Sequence, residues 1–191
     1  MSGPTMLARA EADAFEKRLF KPQAVTTVRY ADPAAWVVAT AAARAFAAAP
    51  EAVAAAGDRV GVVVTSPRGP VETMAWVAQA TREGFSSPLR YPATNPGSLA
   101  GVTCIALCLR GPTLVLTMPP AQGAPLGLLL GQRWMARGDV AIALVATCWE
   151  QAPGKHAARC LLLGGPSNAK PFDPAGDGSW LAASDARSVP E

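Results

Sequence analysis

The side chains best suited to catalysis in this 191-residue chain are one histidine, His156, and four cysteines, Cys104, Cys108, Cys148 and Cys160. The cysteines stand in apolar contexts (VTCIALCL, LVATCWE, ARCLLL) with no CxxC pair, which predicts buried free thiols rather than a metal or redox centre. Cys104 and Cys108 share a helix face at i, i+4, but His156 is the one imidazole that could join them, so no zinc site is expected. His156 falls at the start of a predicted strand and reads as a satisfied strand-end residue. Asp139 and Glu150 also lie near strand ends, the first as a helix-to-strand turn residue and the second as a solvated one. No base with an orienting partner, no glycine-rich phosphate loop and no repeated acid spacing emerges, and no cofactor is implied.

Composition narrows the classes further. Half the residues are hydrophobic and 16% are charged, which excludes global disorder. A net charge of +3, with no basic run and no aromatic interleaving, gives nucleic acid nothing to grip. The N-terminal MSGPTMLARAEADAF lacks the pattern of a secretory signal. No 18-residue apolar run occurs, because the alanine-rich stretch 34–56 contains Arg44, Pro50 and Glu51. The expectation is a soluble, cytoplasmic protein with no membrane association.

Residues 3–20 are predicted as an amphipathic helix, with Leu7, Ala10, Ala14 and Phe15 on one side, and Val25–Tyr30 as a short strand. Asp32-Pro33 is a helix start, a capping side chain followed by an N1 proline. That helix runs to Ala48, and Pro50 opens a second piece ending at Gly57. Arg59–Thr65 is an apolar strand, Val71–Glu83 a helix closed by Gly84, and Phe85–Pro96 a proline-rich loop. Ser98–Leu109 is a third helix, stopped by Gly111-Pro112. From Gly164 the composition turns to Gly, Pro, Ser and Asp, so a mobile tail is expected, with Phe172 and Trp180-Leu181 the residues able to dock it.

The stretch Gly111–Thr147 (GPTLVLTMPPAQGAPLGLLLGQRWMARGDVAIALVAT) organises the rest. Thr113–Met118 is a strand that Pro119-Pro120 stops. A helix opens near Pro125 and ends at Gly138. Leu126, Leu128, Leu129, Leu130, Trp134 and Met135 make it apolar nearly all round, hence buried, with Leu126, Leu129 and Leu130 on the sheet and Leu128, Trp134 and Met135 turned elsewhere. Val140–Ala146 is a strand covered on both faces. His156–Leu163 is the last strand. Alternating helices and buried strands predict an α/β layered domain with a mainly parallel sheet.

This stretch resembles the nucleophile region of β-ketoacyl synthases and their thiolase-fold relatives: GP, strand, a turn ending in a glycine, helix ending in RGD, buried strand. The likeness extends to Arg59–Ser66 with Gly69, to Ser87-Pro88 through Gly101, to Leu109-Arg-Gly-Pro112 and to Ala157–Leu163, and so covers roughly residues 33–165. It implies one half of a thiolase-like fold (βαβαβαββ, a five-stranded sheet and a buried central helix). Residues 1–32 would precede it as a helix and short strand, and 166–191 follow as a flexible tail. The resemblance also places the family's catalytic cysteine at Pro120, counting from Pro112 or back from Gly123. Proline cannot attack a thioester. The family's histidines and second half have no counterpart, and His156 matches none of those positions.

The expected function is therefore a non-catalytic ketosynthase-like subunit, a pseudoenzyme of polyketide or fatty-acid-type biosynthesis (pigment or polyene). It would act as a homodimer or as a heteromer with a ketosynthase-like protein. Leu116, Met118, Gln122, Gly123 and Trp134 are the expected partner or substrate contacts. Arg68, Arg82, Arg90, Arg133 and Arg137 are cations that could meet an acidic acyl carrier protein. The alternative is a small enzyme with a new site on the degenerate scaffold, built on Cys104 or Cys108 with a carboxylate, or on Asp139 and Glu150.

Overall fold

The computed structural model describes residues 3–14, 28–165 and 170–183. Its elements in chain order are β1 (Thr5–Asp13), α1 (Pro33–Ala47), α2 (Pro50–Ala56), β2 (Val60–Thr65), α3 (Val71–Arg82), a 3-10 turn (Tyr91–Thr94), α4 (Ser98–Ala106), β3 (Thr113–Leu116), α5 (Pro120–Arg137), β4 (Ile142–Ala152), β5 (Lys155–Gly164) and α6 (Gly176–Ala182). The five strands form one sheet in the order β1-β5-β4-β2-β3. β2 pairs parallel with β3 and β4, while β5 runs antiparallel to β4 and β1. Four strands thus share one direction and β5 opposes them, the mainly parallel βαβαβαββ arrangement expected.

Side-chain alternation divides the core into two layers. Ile142, Leu144, Ala146 and Cys148 of β4, with Cys160 and Leu162 of β5, face α1 and α4. Val145, Leu161 and Leu163 face α5 and α6 with Phe172 and Leu181. The helix with buried residues nearly all round is α1, not α5: ten of its fifteen residues are buried between the sheet and α4. Its alanines make that possible, because short side chains let a helix be enclosed without voids.

The N-terminal expectation is corrected. Thr5–Asp13 is an edge strand paired with β5, not a helix. Ala8, Ala10 and Ala12 fit either period, and pairing with β5 decides the outcome. The remainder of that expected helix, 15–20, and residues 25–27 lie outside the described residues, while Val28–Tyr30 form a turn rather than a strand.

Residues 170–183 do not form the expected mobile tail. Thr5 bridges to Pro171, α6 lies against α5, and Phe172 and Leu181 are buried. Two apolar anchors and hydrogen bonds from Thr147 and Arg159 to the Leu181 and Trp180 carbonyls hold a segment whose composition reads as linker. Residues 166–169 and 184–191 lie outside the described residues.

α5 begins at Pro120, five residues before the expected Pro125, with Pro119 as its cap. Pro125 still falls within the first two turns. The face α5 lays on the sheet is a stripe of small residues, Gly123, Gly127 and Gly131 with Ala124. A Cβ on Gly127 would stand 2.9 Å from Val145 Cγ1, and one on Gly131 2.9 Å from Ala143 Cβ. The helix therefore sits close to the strands, turned so that the leucines leave the sheet. Leu126 and Leu129, expected on it, are 43% and 54% exposed, whereas Leu128 is buried with α6. Trp134 packs over Gly61 of β2 instead of pointing away from the sheet.

Gly127→Val is expected to destabilise the fold by about 1–3 kcal/mol through overpacking, and Leu181→Ala by about 2–5 kcal/mol through the cavity left beneath α6. Urea unfolding followed by circular dichroism checks both. A Leu181→Ala variant as stable as wild type would mean that α6 is not docked.

Candidate functional site

β3 ends at Leu116, and two prolines carry the chain into α5. The sharpness of that entry depends on Gly123. A Cβ there would collide with Thr65 Cγ2 and come within 3.0 Å of Met118 Cγ, so β2, the turn and the helix meet at a point only glycine fits. Thr65 is fully buried, and its Oγ1 finds no hydrogen-bond partner among the described residues.

A helix start at the end of a parallel strand is a common place for a nucleophile, because first-turn N–H groups and the helix dipole stabilise developing negative charge. Here the prolines and the turn's own hydrogen bonds take up part of that arrangement. Pro119 and Pro120 carry no N–H, and the N–H groups of Gln122 and Gly123 are spent on the Pro119 carbonyl at 3.0 and 2.9 Å. Pro120 is buried, and Gln122 projects into solvent.

Leu116 and Met118 are half-buried beside Gly123, so four of the five sequence-predicted contacts, Leu116, Met118, Gln122 and Gly123, gather at this turn. Trp134 does not join them, lying eleven residues along α5, roughly 16 Å away by helix rise.

The flank of α5 opposite α6 is the missed feature. α6 covers the side carrying Leu128, over β4 and β5. One helical step round, Gln122, Leu126, Leu130 and Arg133 line the other side, toward β3. β3 is a sheet edge, and Thr113 and Leu114 are exposed on it. An unpaired strand edge and an uncovered leucine flank thus adjoin. The signal was present as glycine at positions 123, 127 and 131, a four-residue spacing that marks a helix face for close approach.

A second cluster ties the same end of the sheet together. Asp32 caps α1, its Oδ1 accepting from the Ala34 N–H at 2.9 Å and its Oδ2 from the Thr73 N–H of α3, also at 2.9 Å. His156 is buried at the start of β5, with Nε2 2.7 Å from Glu72 Oε1. These donor atoms all lie within 4.8 Å of one another, a spacing that could hold a metal ion. Backbone N–H groups already engage both Asp32 oxygens, and Glu72 engages His156, so protein contacts account for the cluster. His156 is satisfied, as expected from its position.

Cys104, Cys148 and Cys160 are not poised nucleophiles. Burial pushes the Cys104 thiol up to about 11 and Cys148 up to about 12, the latter aided by the nearby Asp32 carboxylate. Burial, with Cys148 adjacent, raises Cys160 further. Cys108 is exposed, at the left-handed residue (φ 56°) beyond the C-terminus of α4. Glu150, read as solvated, is paired with Arg68 and accepts from the Gly154 N–H at 2.9 Å. Asp139 pairs with Arg137 at 3.1 Å.

Comparison with known structures places the scaffold. The chain superposes on the ishigamide ketosynthase/chain length factor with a TM-score of 0.70 at 16% identity, over 89% of this chain and 64% of that one. The chain has the ketosynthase fold. A β-ketoacyl synthase from Burkholderia phymatum STM815 gives a TM-score of 0.68 at 13% identity, covering 87% of this chain and 60% of that chain. This chain therefore spans under two thirds of the length of both. A third match is a chain of the ketosynthase ApeO in complex with its chain length factor ApeC from Xenorhabdus doucetiae. It gives a TM-score of 0.62 at 13% identity, over 96% of this chain and 93% of that one, so the two are nearly equal in length. No protein-family model matches the chain, and neither does any curated protein.

In the native protein at pH 8, an aromatic disulfide reagent should modify Cys108 within minutes and leave Cys148 and Cys160 untouched. The sign follows from the raised values: a thiol near 12 stays protonated until far above pH 8, and only the thiolate attacks. Modification of all four thiols at one rate would contradict the burial described.

Proposed function

We propose that this chain is a non-catalytic ketosynthase-like subunit of a polyketide or fatty-acid-type (pigment or polyene) biosynthetic system, acting by pairing with a ketosynthase. The observation that carries the reading is the turn into α5. Gly123 and its contact with Thr65 preserve the shape of a nucleophile turn, while Pro120 removes both the attacking group and a backbone N–H from it. Such a turn can still present a surface. The solved structures it is similar to include a ketosynthase/chain length factor and a complex of the two kinds of protein, one chain of which is nearly this chain's length.

The pairing surface is the β3 edge together with Gln122, Leu126 and Leu130 of α5. A bare strand edge beside the exposed Leu126 and half-buried Leu130 is a liability that a partner strand and an apolar partner face remove together. A second copy of this chain can supply that cover as well as a ketosynthase can. The acyl carrier protein is the further partner, supported by an acyl-carrier-protein complex among the similar structures. The arginines expected to meet it are spread over separate elements: Arg82 ends α3, Arg90 precedes the 3-10 turn, and Arg133 and Arg137 lie on α5.

The alternative of a new active site draws no support from Cys104, which burial holds protonated; Cys108 is exposed and has no carboxylate contact among the described residues.

Co-expressed with a ketosynthase of its own source, the wild-type chain should co-elute with it, and Leu114→Lys with Leu126→Glu should abolish co-elution without loss of helical signal. Both sites are exposed, so the variant is expected to fold. A wild-type chain that stays monomeric beside the ketosynthase would overturn the reading. Neither wild type nor Pro120→Cys is expected to turn over a malonyl or acyl thioester above a no-protein control; turnover by the wild type would contradict a non-catalytic role.

A further inference from the structure

Away from the α5 turn, two cavities meet along one tyrosine. The first, of about 410 Å³, is an apolar trough lined by Val28, Pro88, Leu89, Pro92, Val102 and Ile105. The second, of about 300 Å³, is bounded by Arg29, Glu72, Thr73, Trp76 and Arg90. Tyr30 and Ala31 line both, so the chambers adjoin. Each falls near the roughly 300–1,000 Å³ range in which small ligands bind.

Arg90 gives the second chamber its character. Its guanidinium carbon lies 4.1 Å from the centre of the Trp76 ring and 5.1 Å from that of Tyr30. The side chain is half-buried, and its guanidinium makes no ion pair or hydrogen bond with any described residue. Contact with ring faces orients a guanidinium while leaving its in-plane N–H groups for a planar, two-oxygen acceptor. Glu72 also lines the chamber but is held by His156 at 2.7 Å. One guanidinium with a carboxylate close by suits a singly charged head group better than a doubly charged phosphate.

We infer that these joined chambers are a binding site for a medium-chain fatty carboxylate, with the head group on Arg90 and the alkyl tail along Pro88, Leu89, Val102 and Ile105. The site is separate from the α5 turn and from the β3 edge, and it does not depend on the pairing proposed above. Both ends of the ligand are matched: the trough offers apolar cover, and the adjoining chamber offers a cation oriented by two rings, with no ion pair to any described residue.

Calorimetric titration of the full chain with sodium decanoate, octanoate and decyltrimethylammonium tests it. Decanoate should bind saturably at one site, roughly tenfold more tightly than octanoate because two more methylenes are buried. Decyltrimethylammonium, with the same tail and the opposite head, should not compete. Arg90→Gln should weaken decanoate by roughly tenfold to hundredfold, the worth of a charge-assisted bond, while retaining the dependence on tail length. Ile105→Glu, at an exposed position that does not threaten folding, should weaken it through the tail. The inference is overturned if decanoate shows no saturable binding, if the cationic detergent competes equally, or if Arg90→Gln binds as wild type does. None of these results bears on the association with a ketosynthase, which the β3 and α5 variants read separately.

Discussion

The close seat of α5 on β2 and β4 is the contact on which the rest of this structure depends. Glycines at 123, 127 and 131 bring the helix to a distance at which a single added methyl would strike Thr65, Val145 or Ala143. Dispersion across so close an interface is individually weak but summed over three turns of helix. The stripe also fixes the rotation of α5 about its axis. Once the glycines face the sheet, Leu128 is directed to α6, Trp134 is laid over Gly61, and Leu126 and Leu129 are turned to the outside. One stripe of small residues thus decides which apolar surface the chain keeps for itself and which it leaves uncovered.

That division carries the functional reading. On one flank, α6 closes the layer from within the chain, anchored by Leu181 and Phe172. On the other flank lie the β3 edge and the exposed Leu126 of α5. The turn joining β3 to α5 closes around Gly123, and Pro119 and Pro120 bring no N–H to it. Asp32, Glu72 and His156 tie α1, α3 and β5 together at the same end of the sheet, which accounts for a buried histidine at the start of β5.

Much of this was legible from residue order. The Asp32-Pro33 cap, the valine run of β2 and the Gly138 stop are strong local signals that the structure follows within a few residues, and the apolar strand expected over Val140–Ala146 is present but runs from Ile142 to Ala152. The burial of α5 was read from its leucines, but the glycines between them set the contact. Hydrophobic counting rewards large side chains and is blind to a face made of missing ones. β1 was misread because alanines support both periods and its partner, β5, lies some 150 residues away in sequence. Residues 170–183 were read from composition, which cannot register two apolar anchors and the hydrogen bonds beside them. Within the site, the cluster at Gly123 was recoverable from motif spacing, whereas the Arg90, Tyr30 and Trp76 contacts join three separate segments and left no pattern in any one of them.

The account stands most directly on the state of the β3 edge. Hydrogen–deuterium exchange of the amides of Thr113–Leu116 and the first turns of α5 measures it, in the isolated chain and in the presence of a ketosynthase. The β3 amides not bonded to β2 should exchange rapidly when a monomeric chain is alone and become protected in the complex, together with Gln122–Leu130. Unchanged exchange across β3 and α5 in a complex that does form, with protection appearing on another face, would contradict the account.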